Sequence, residues 1–357
     1  MANFVFPSSS NGFIPEATGQ VIQFIRAEDR FPLNRYVQYV PTPKTVGFYT
    51  VVGRDEQSRI VTDAEYAWQD GDKRPRGDQY KMVFKEVEFR TFRRDYPWTL
   101  GYQTIEQAEV WKPKLSHMGM AISKAMTNRT NRVVTLMQTA GNWGTQTASA
   151  NTLNSGAGNW VTASDDPSSP NYLAIYKSII EAARRINLAT NGVIRPKDMQ
   201  LVVSPGLAIA MAETSEMTNY VRESPAAMQV LKEGLDPELN RLWSLPNQYK
   251  GFPIVVEDTP LVTARYTTSG GNIVEATTAR TYAMADTSAA LVSRVGGLDG
   301  EFGSPAFSTL QIYHYGGLLE VQAFDDPKHR RVDGHVTEDI KEILTSEFTG
   351  FLITGTA

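Results

Sequence analysis

The stretch Arg54–Arg94, RDEQSRIVTDAEYAWQDGDKRPRGDQYKMVFKEVEFRTFRR, holds 10 Lys/Arg and 9 Asp/Glu in 41 residues, about twice the charge density of a chain that is 21% charged. A purely solvated charge run has no use for Trp68, Tyr80, Phe84 and Phe89. With a period of two, Val83, Val87 and Phe89 fall on one face and Met82, Phe84, Glu86 and Glu88 on the other, which is strand spacing. Between Trp68 and Tyr80 the composition QDGDKRPRGDQ reads as a turn. The whole therefore reads as a long β-hairpin with nearly balanced charge on both sides of its tip. Such an arm buries too little apolar surface to be stable by itself, so its expected partner is another copy of the chain.

At 357 residues with 41% hydrophobic content, the remainder is long enough for one elaborate domain or two ordinary ones. A net charge of −4 leaves no basic excess for dedicated nucleic-acid binding, so any DNA contact is expected to be weak and non-specific. The absence of cysteine excludes disulfides and thiolate metal sites. The opening MANFVFPSSSNGF lacks a basic segment followed by an apolar core, and no apolar run of about 20 residues follows. A soluble, non-exported chain without a membrane partner is expected.

Residues 1–46 read as an extended arm that docks on something, because Phe4, Phe6, Phe13, Phe24 and Phe31 argue against free solvation. GFYTVVG (47–53) reads as a strand leading into the hairpin, which with its flanking strands spans 47–100. Thr104 with Gln107 makes a capping-box pattern, and Leu115, Met118, Ile122, Ala125, Arg129, Val133 and Leu136 form a helical stripe. An unbroken helix to Thr139 would be about 50 Å long, a spine occupying 101–140. Residues 141–170, rich in Gly, Ala, Ser, Thr and Asn, read as a linker loop that cannot pack a core.

Beyond it, 171–304 alternates helix and strand: helix Tyr172–Leu188, strand Met199–Val203, a helix capped by Ser204 and Pro205, helix Pro225–Glu233 and strand IVVED at 254–258. Thr281–Met284 and Ala289–Val292 add strands. In 305–357, Phe307–Val321 reads as strand and Thr337–Leu344 as a short helix. The fold class is α+β, with an α/β subdomain at 171–304.

Catalytic chemistry finds little support. His117, His314, His329 and His335 lack the spacing of a helical zinc site. His329 and His335 beside Asp325, Asp326 and Asp333 are the best metal candidate, but Arg330 and Arg331 would repel a cation. Phosphate loops, dinucleotide fingerprints and nucleophile elbows are missing from the sequence, and Ser204 before Pro205 reads as a helix cap. A non-enzymatic chain with no cofactor or metal is expected. A hydrolase using carboxylates of the α/β subdomain is a remote alternative.

The order of these elements resembles the major capsid proteins of tailed bacteriophages, the Hong Kong 97 fold. Ala67-Trp68-Gln69-Asp70-Gly71 with Pro75, Asp78 and Tyr80 is similar to the family's extended loop. Thr99-Leu100 is similar to the approach to its spine helix. Leu201–Pro205 and Gly251–Val256 resemble strands of its axial domain, and Arg331-Val332-Asp333-Gly334-His335 resembles a segment near its C-terminus. These fall in family order from about residue 20 to 336.

The resemblance implies an N-terminal arm, an extended hairpin, a peripheral domain with the spine helix and return strands, and an axial α/β domain. It implies hexamers and pentamers closing an icosahedral shell around double-stranded DNA. The site of such a protein is its inter-subunit contacts, expected here at Trp68, Lys73, Arg74, Arg76, Lys81, Lys85, Arg90, Arg93, Arg94, Arg331 and Asp333. Scaffolding, portal and decoration proteins are implied partners, with assembly in the host cytoplasm and residence in the virion. With no long charged helical prosegment before the arm, assembly with a separate scaffolding protein, or none, is expected. TEDIKEILTSEFTGFLITG after Val336 departs from the family's usual ending. An encapsulin-like compartment is the alternative within the same fold.

Overall fold

A computed structural model describes residues 26–52, 70, 84–106, 108, 112–223, 243, 245–262, 267–269, 272–274, 280–294 and 308–357. The hairpin tip, most of the N-terminal arm and the expected helix Pro225–Glu233 lie outside these residues.

Two sheets carry the architecture. In the first, the long strand β16 (Arg331–Leu344) pairs on one side with β4 (Phe92–Gly101) and on the other with β14 (Leu310–Tyr315) and then β15 (Glu320–Asp326). β1 (Gln38–Thr42) adds parallel to β14. The second sheet runs in the order β5 (Thr147–Ser149), β17 (Gly350–Thr354), β13 (Ser288–Ser293), β6 (Met199–Val203), β8 (Phe252–Val256), β7 (Gln248–Tyr249). Among the described residues there are also three two-stranded ribbons: β2 (Val46–Val52) with β3 (Phe84–Arg90), β9 (Pro260–Val262) with β12 (Arg280–Tyr282), and β10 (Thr267–Ser269) with β11 (Asn272–Val274).

Alternation along the second sheet decides its layers. Leu201, Val203, Ile254, Val256, Leu291 and Ile353 face helices Ala174–Ala189 and Pro205–Glu213. Val202, Val255, Ala290, Val292 and Leu352 face the other way, onto Val133, Val134 and Met137 of the spine helix and onto Leu310, Ile312 and Ile340 of the first sheet. Burial on both faces is why these strands read as continuous apolar runs.

Four expectations need correction. The spine helix spans Pro113–Gln138, 26 residues or about 39 Å, and a separate short helix Tyr102–Glu106 precedes it. Thr104 therefore lies inside that short helix and not at its start; Pro113 starts the spine because it needs no N–H there and keeps Lys112 out of helical geometry (φ −102°, ψ 85°).

Thr337–Leu344 is the second half of β16, not a helix. Val332, Val336, Glu338, Ile340 and Glu342 alternate inward at period two, and pairing with β4 and β14 overrides the local helical spacing. Residues 141–170 pack a core after all: Trp143 and Trp160 are fully buried, and β5 joins the second sheet. Asn154 supplies what small residues cannot, since its amide donates to the Gly158 carbonyl (2.7 Å) and its carbonyl accepts from the Ala157 N–H (2.9 Å). Finally, 305–357 does not stay with the first sheet, because β17 sits between β5 and β13 in the second.

Of the arm, Phe31, Leu33, Tyr36 and Val37 are buried against the chain's own core. The Tyr36 hydroxyl donates to the fully buried Glu257 carboxylate at 2.7 Å, which also accepts from the N–H and hydroxyl of Thr259. Burial raises the pKa of Glu257.

Candidate functional site

The charged stretch is flanked by two paired strands, which bring its two ends to one place. β2 and β3 pair from Val46↔Arg90 to Val52↔Phe84, and Thr91 then passes directly into β4. On one face of this ribbon, Phe89 stacks on Tyr313 with ring centroids 4.3 Å apart and packs with Ile343, Val40 and Tyr49. A Cβ at Gly47 would come within 2.7 Å of the Phe89 ring, so only glycine lets that ring lie flat across the ribbon. The opposite face is open: Phe48 is 64% exposed, with Val46, Glu86, Glu88 and Arg90 beside it. Among the described residues of the ribbon, the Phe89 face is thus the one tied to the chain's own core.

Beneath, the first sheet is clamped to the spine helix by buried charge. The Arg129 Nε and Nη2 both donate to Glu338 Oε2 (3.1 and 3.0 Å), and neither side chain is exposed. Arg132 Nη2 donates to Glu338 Oε1 and its Nε to Glu342 Oε1, each at 2.6 Å, while the Tyr96 hydroxyl also donates to Glu338. Burial disfavours the Arg132 charge, but Glu342 and Glu338 outweigh it and raise its pKa. Burial and then Glu338 raise the pKa of Tyr96. Arg129 Nη2 also reaches the Leu318 carbonyl, tying in the turn between β14 and β15. At the far end Trp98 lies over Gly334, its cross-strand partner, where a Cβ would sit 2.1 Å from the indole.

Among the described residues the candidate catalytic side chains have other partners. Ser204 Oγ accepts from the Leu207 N–H as a helix cap and donates to Asp286 at 2.6 Å. His329 bonds Asp326 and His335 bonds Asp95, both at 2.7 Å, so the two histidines serve different strands. Among the described residues no group of three or more His, Cys, Asp or Glu is placed to hold a metal. A shallow groove of about 260 Å³ beside the ribbon root is lined by Tyr49, Phe89, Leu136 and Ile343, with Glu88 and Lys341 among them.

No family model matches the sequence, and no curated protein does. Solved structures do. A phage-related protein from Bordetella bronchiseptica RB50 superposes with a TM-score of 0.58 over 93% of this chain and 94% of that one, at 13% identity. The bacteriophage PhiM1 mature capsid gives 0.51 at 12% identity, covering 99% and 92%. The capsid of an empty GTA particle gives 0.52 at 10% identity, covering 97% and 96%. The chain has the Hong Kong 97 fold of phage capsid proteins.

Within the Hong Kong 97 fold, the expected contact residues separate into three groups. Trp68, Lys73, Arg74, Arg76 and Lys81 lie outside the described residues, and Lys85 is placed only by its backbone in β3. Arg90 and Arg93 are exposed at the ribbon root. The rest meet groups of their own subunit: Arg94 lies 3.8 Å from Glu342, and Arg331 Nε donates to Asp333 at 3.0 Å.

Glu338 and Trp98 escaped the sequence reading. Trp98 alternates with Tyr96 and Leu100 on the buried side of β4, a period-two signal that was available. Glu338 gave none by itself, because its two arginines lie more than 200 residues upstream.

Proposed function

We propose that the chain is the major capsid protein of a tailed phage, assembling as hexamers and pentamers into an icosahedral shell around double-stranded DNA. The observation that carries this reading is the ribbon of a Hong Kong 97 fold with one face anchored by Phe89 and Gly47 and the other face, with Phe48, left open. The hairpin then lies over the next subunit, and Trp68, Lys73, Arg74, Arg76, Lys81, Lys85, Arg90 and Arg93 meet it there. Many contacts of small individual worth add through multivalency, and alternating charge sets partner and register more than affinity. Net charge of −4 keeps the subunit from gripping packaged DNA strongly.

The buried arginine–glutamate clamp supports a mechanical role rather than a chemical one, because it fixes the spine helix to the sheet from which the ribbon springs. Scaffolding and portal proteins fit as assembly partners in the host cytoplasm, with decoration proteins as an outer layer.

Expression of the full chain followed by negative-stain microscopy tests the proposal. Capsid-sized shells or capsomer rings are expected, and a persistent monomer at high concentration overturns it. Shells that enclose a co-expressed enzyme in place of nucleic acid would instead support a protein compartment.

A further inference from the structure

Among the described residues four carboxylates are buried, Glu216, Glu257, Glu338 and Glu342, and three of them meet positive charge. Glu338 and Glu342 accept from Arg129 and Arg132. Glu216 accepts from the Ile175 and Tyr176 N–H groups at 3.1 and 2.9 Å, where helix Ala174–Ala189 presents the positive end of its dipole, and the Lys250 charge also acts on it.

Glu257 is the exception. It follows β8 directly, its side chain is fully buried, and its three partners are neutral donors: the Tyr36 hydroxyl at 2.7 Å, the Thr259 N–H at 3.1 Å and the Thr259 hydroxyl at 2.5 Å. Cations of the surrounding elements are engaged elsewhere. Arg26 pairs with Asp258 at 2.6 Å, Arg294 donates to the carbonyls of Asn34 and Arg35 at 2.9 and 2.6 Å, and Arg129, over the Tyr39 ring, is held by Glu338. The charge that acts on Glu257 is that of Asp258, which has the same sign. A buried carboxylate without an opposite charge is costly, and such a group loses its charge by binding a proton. Thr259 Oγ1 can accept as well as donate, so the carboxyl proton has an acceptor 2.5 Å away while the other oxygen keeps the Tyr36 bond.

We infer that Glu257 takes up a proton as residues 26–37 dock, so that the N-terminal segment is held by a proton-dependent clasp whose grip weakens as pH rises. Phe31, Leu33, Tyr36 and Val37 supply the apolar part of that docking, and Tyr36 with Arg26 supplies the polar part, on the adjacent carboxyls of Glu257 and Asp258. Burial raises the pKa of Glu257 by more than its hydrogen-bond donors lower it, and Asp258 adds to the rise. A folded pKa above the unfolded one contributes stability that is complete below the ordinary carboxylate range and fades as pH rises through the folded value. This is the reverse of the dependence expected of a paired carboxylate. The clasp acts within one chain and holds whether or not shells form.

The full chain and Glu257→Gln are compared from about pH 5 to about pH 9, a range above the ordinary carboxylate values. Infrared difference spectra between the two should show the carbonyl band of a protonated carboxyl that disappears as pH rises. Hydrogen exchange of residues 26–37, taken as the ratio of the two proteins at one pH so that intrinsic exchange cancels, should be equal at the acid end and at least about threefold faster in the unaltered chain at the alkaline end. Tyr36→Phe keeps the carboxyl and removes one donor to its charged form, so its band should persist to higher pH; this variant carries the test should the glutamine variant fail to fold. A protonated-carboxyl band missing throughout the range, an exchange ratio that stays constant across it, or a band midpoint that Tyr36→Phe leaves unmoved overturns the clasp.

Discussion

The two sheets solve the same packing problem with opposite materials. In the six-stranded sheet the buried residues are apolar on both sides, Leu, Ile, Val, Ala, Phe, Met199 and Tyr249 on one and Val, Ala and Leu on the other, and its helices contribute Ile175, Ile179, Ala182 and Ile186. In the five-stranded sheet, the inward row of β16 alternates Val336, Glu338, Ile340 and Glu342, and the spine helix answers with Arg129 and Arg132. Hydrocarbon tolerates small shifts at graded cost, whereas a buried ion pair holds one register and fails abruptly when a partner is lost. The stiff, charge-locked sheet is the one that carries the ribbon.

The sharpest way to break this comparison is Glu338→Ala. It leaves Arg129 buried without its carboxylate and should cost about 3–5 kcal/mol in urea denaturation followed by tryptophan fluorescence. Arg129→Met with Glu338→Met should recover at least half of that, since a packed apolar pair avoids the orphaned charge; equal losses in both variants would refute the clamp. In the other sheet Ile179→Val should cost only about 1 kcal/mol, and a loss matching that of Glu338→Ala would erase the distinction.

The smallest effect belongs to surface charge. Arg184 and then Arg185 hold the Glu181 carboxyl down to about 2 by hydrogen bonds. A lowered folded pKa gives stability that is present above the ordinary carboxylate range and lost as pH falls toward 2. Solvent screening keeps this near 0.5 kcal/mol, so Glu181→Ala should slightly flatten the denaturation midpoint between about pH 4 and 2, and a larger change would mean that surface charge rivals the buried clamp.

The same contrast explains what the sequence disclosed. The strands Met199–Val203, Ala289–Val292 and IVVED were plain because unbroken apolar runs mark strands buried on both faces. The ribbon strands and the arginine in the spine's apolar stripe were also readable. Thr337–Leu344 was not, because Ile340, Ile343 and Leu344 fit helical spacing while Glu338 and Glu342, in the buried row, look like solvent positions until Arg129 and Arg132 are seen opposite. Trp143 and Trp160 vanished within a stretch of small polar residues whose core packing depends on Asn154. Of the expected contact residues, Arg331 and Arg94 found carboxylates within the chain, since a charge pattern shows that partners are needed but not which subunit supplies them.

The position of β17 has a consequence for synthesis. Gly350–Thr354 lies between β5 and β13, with Phe351 and Leu352 in the two main cores, so that layer cannot close until residue 354 has left the ribosome. A chain terminated before that point would lack an interior strand of the second sheet and leave the apolar faces of β5 and β13 unpaired in both main cores.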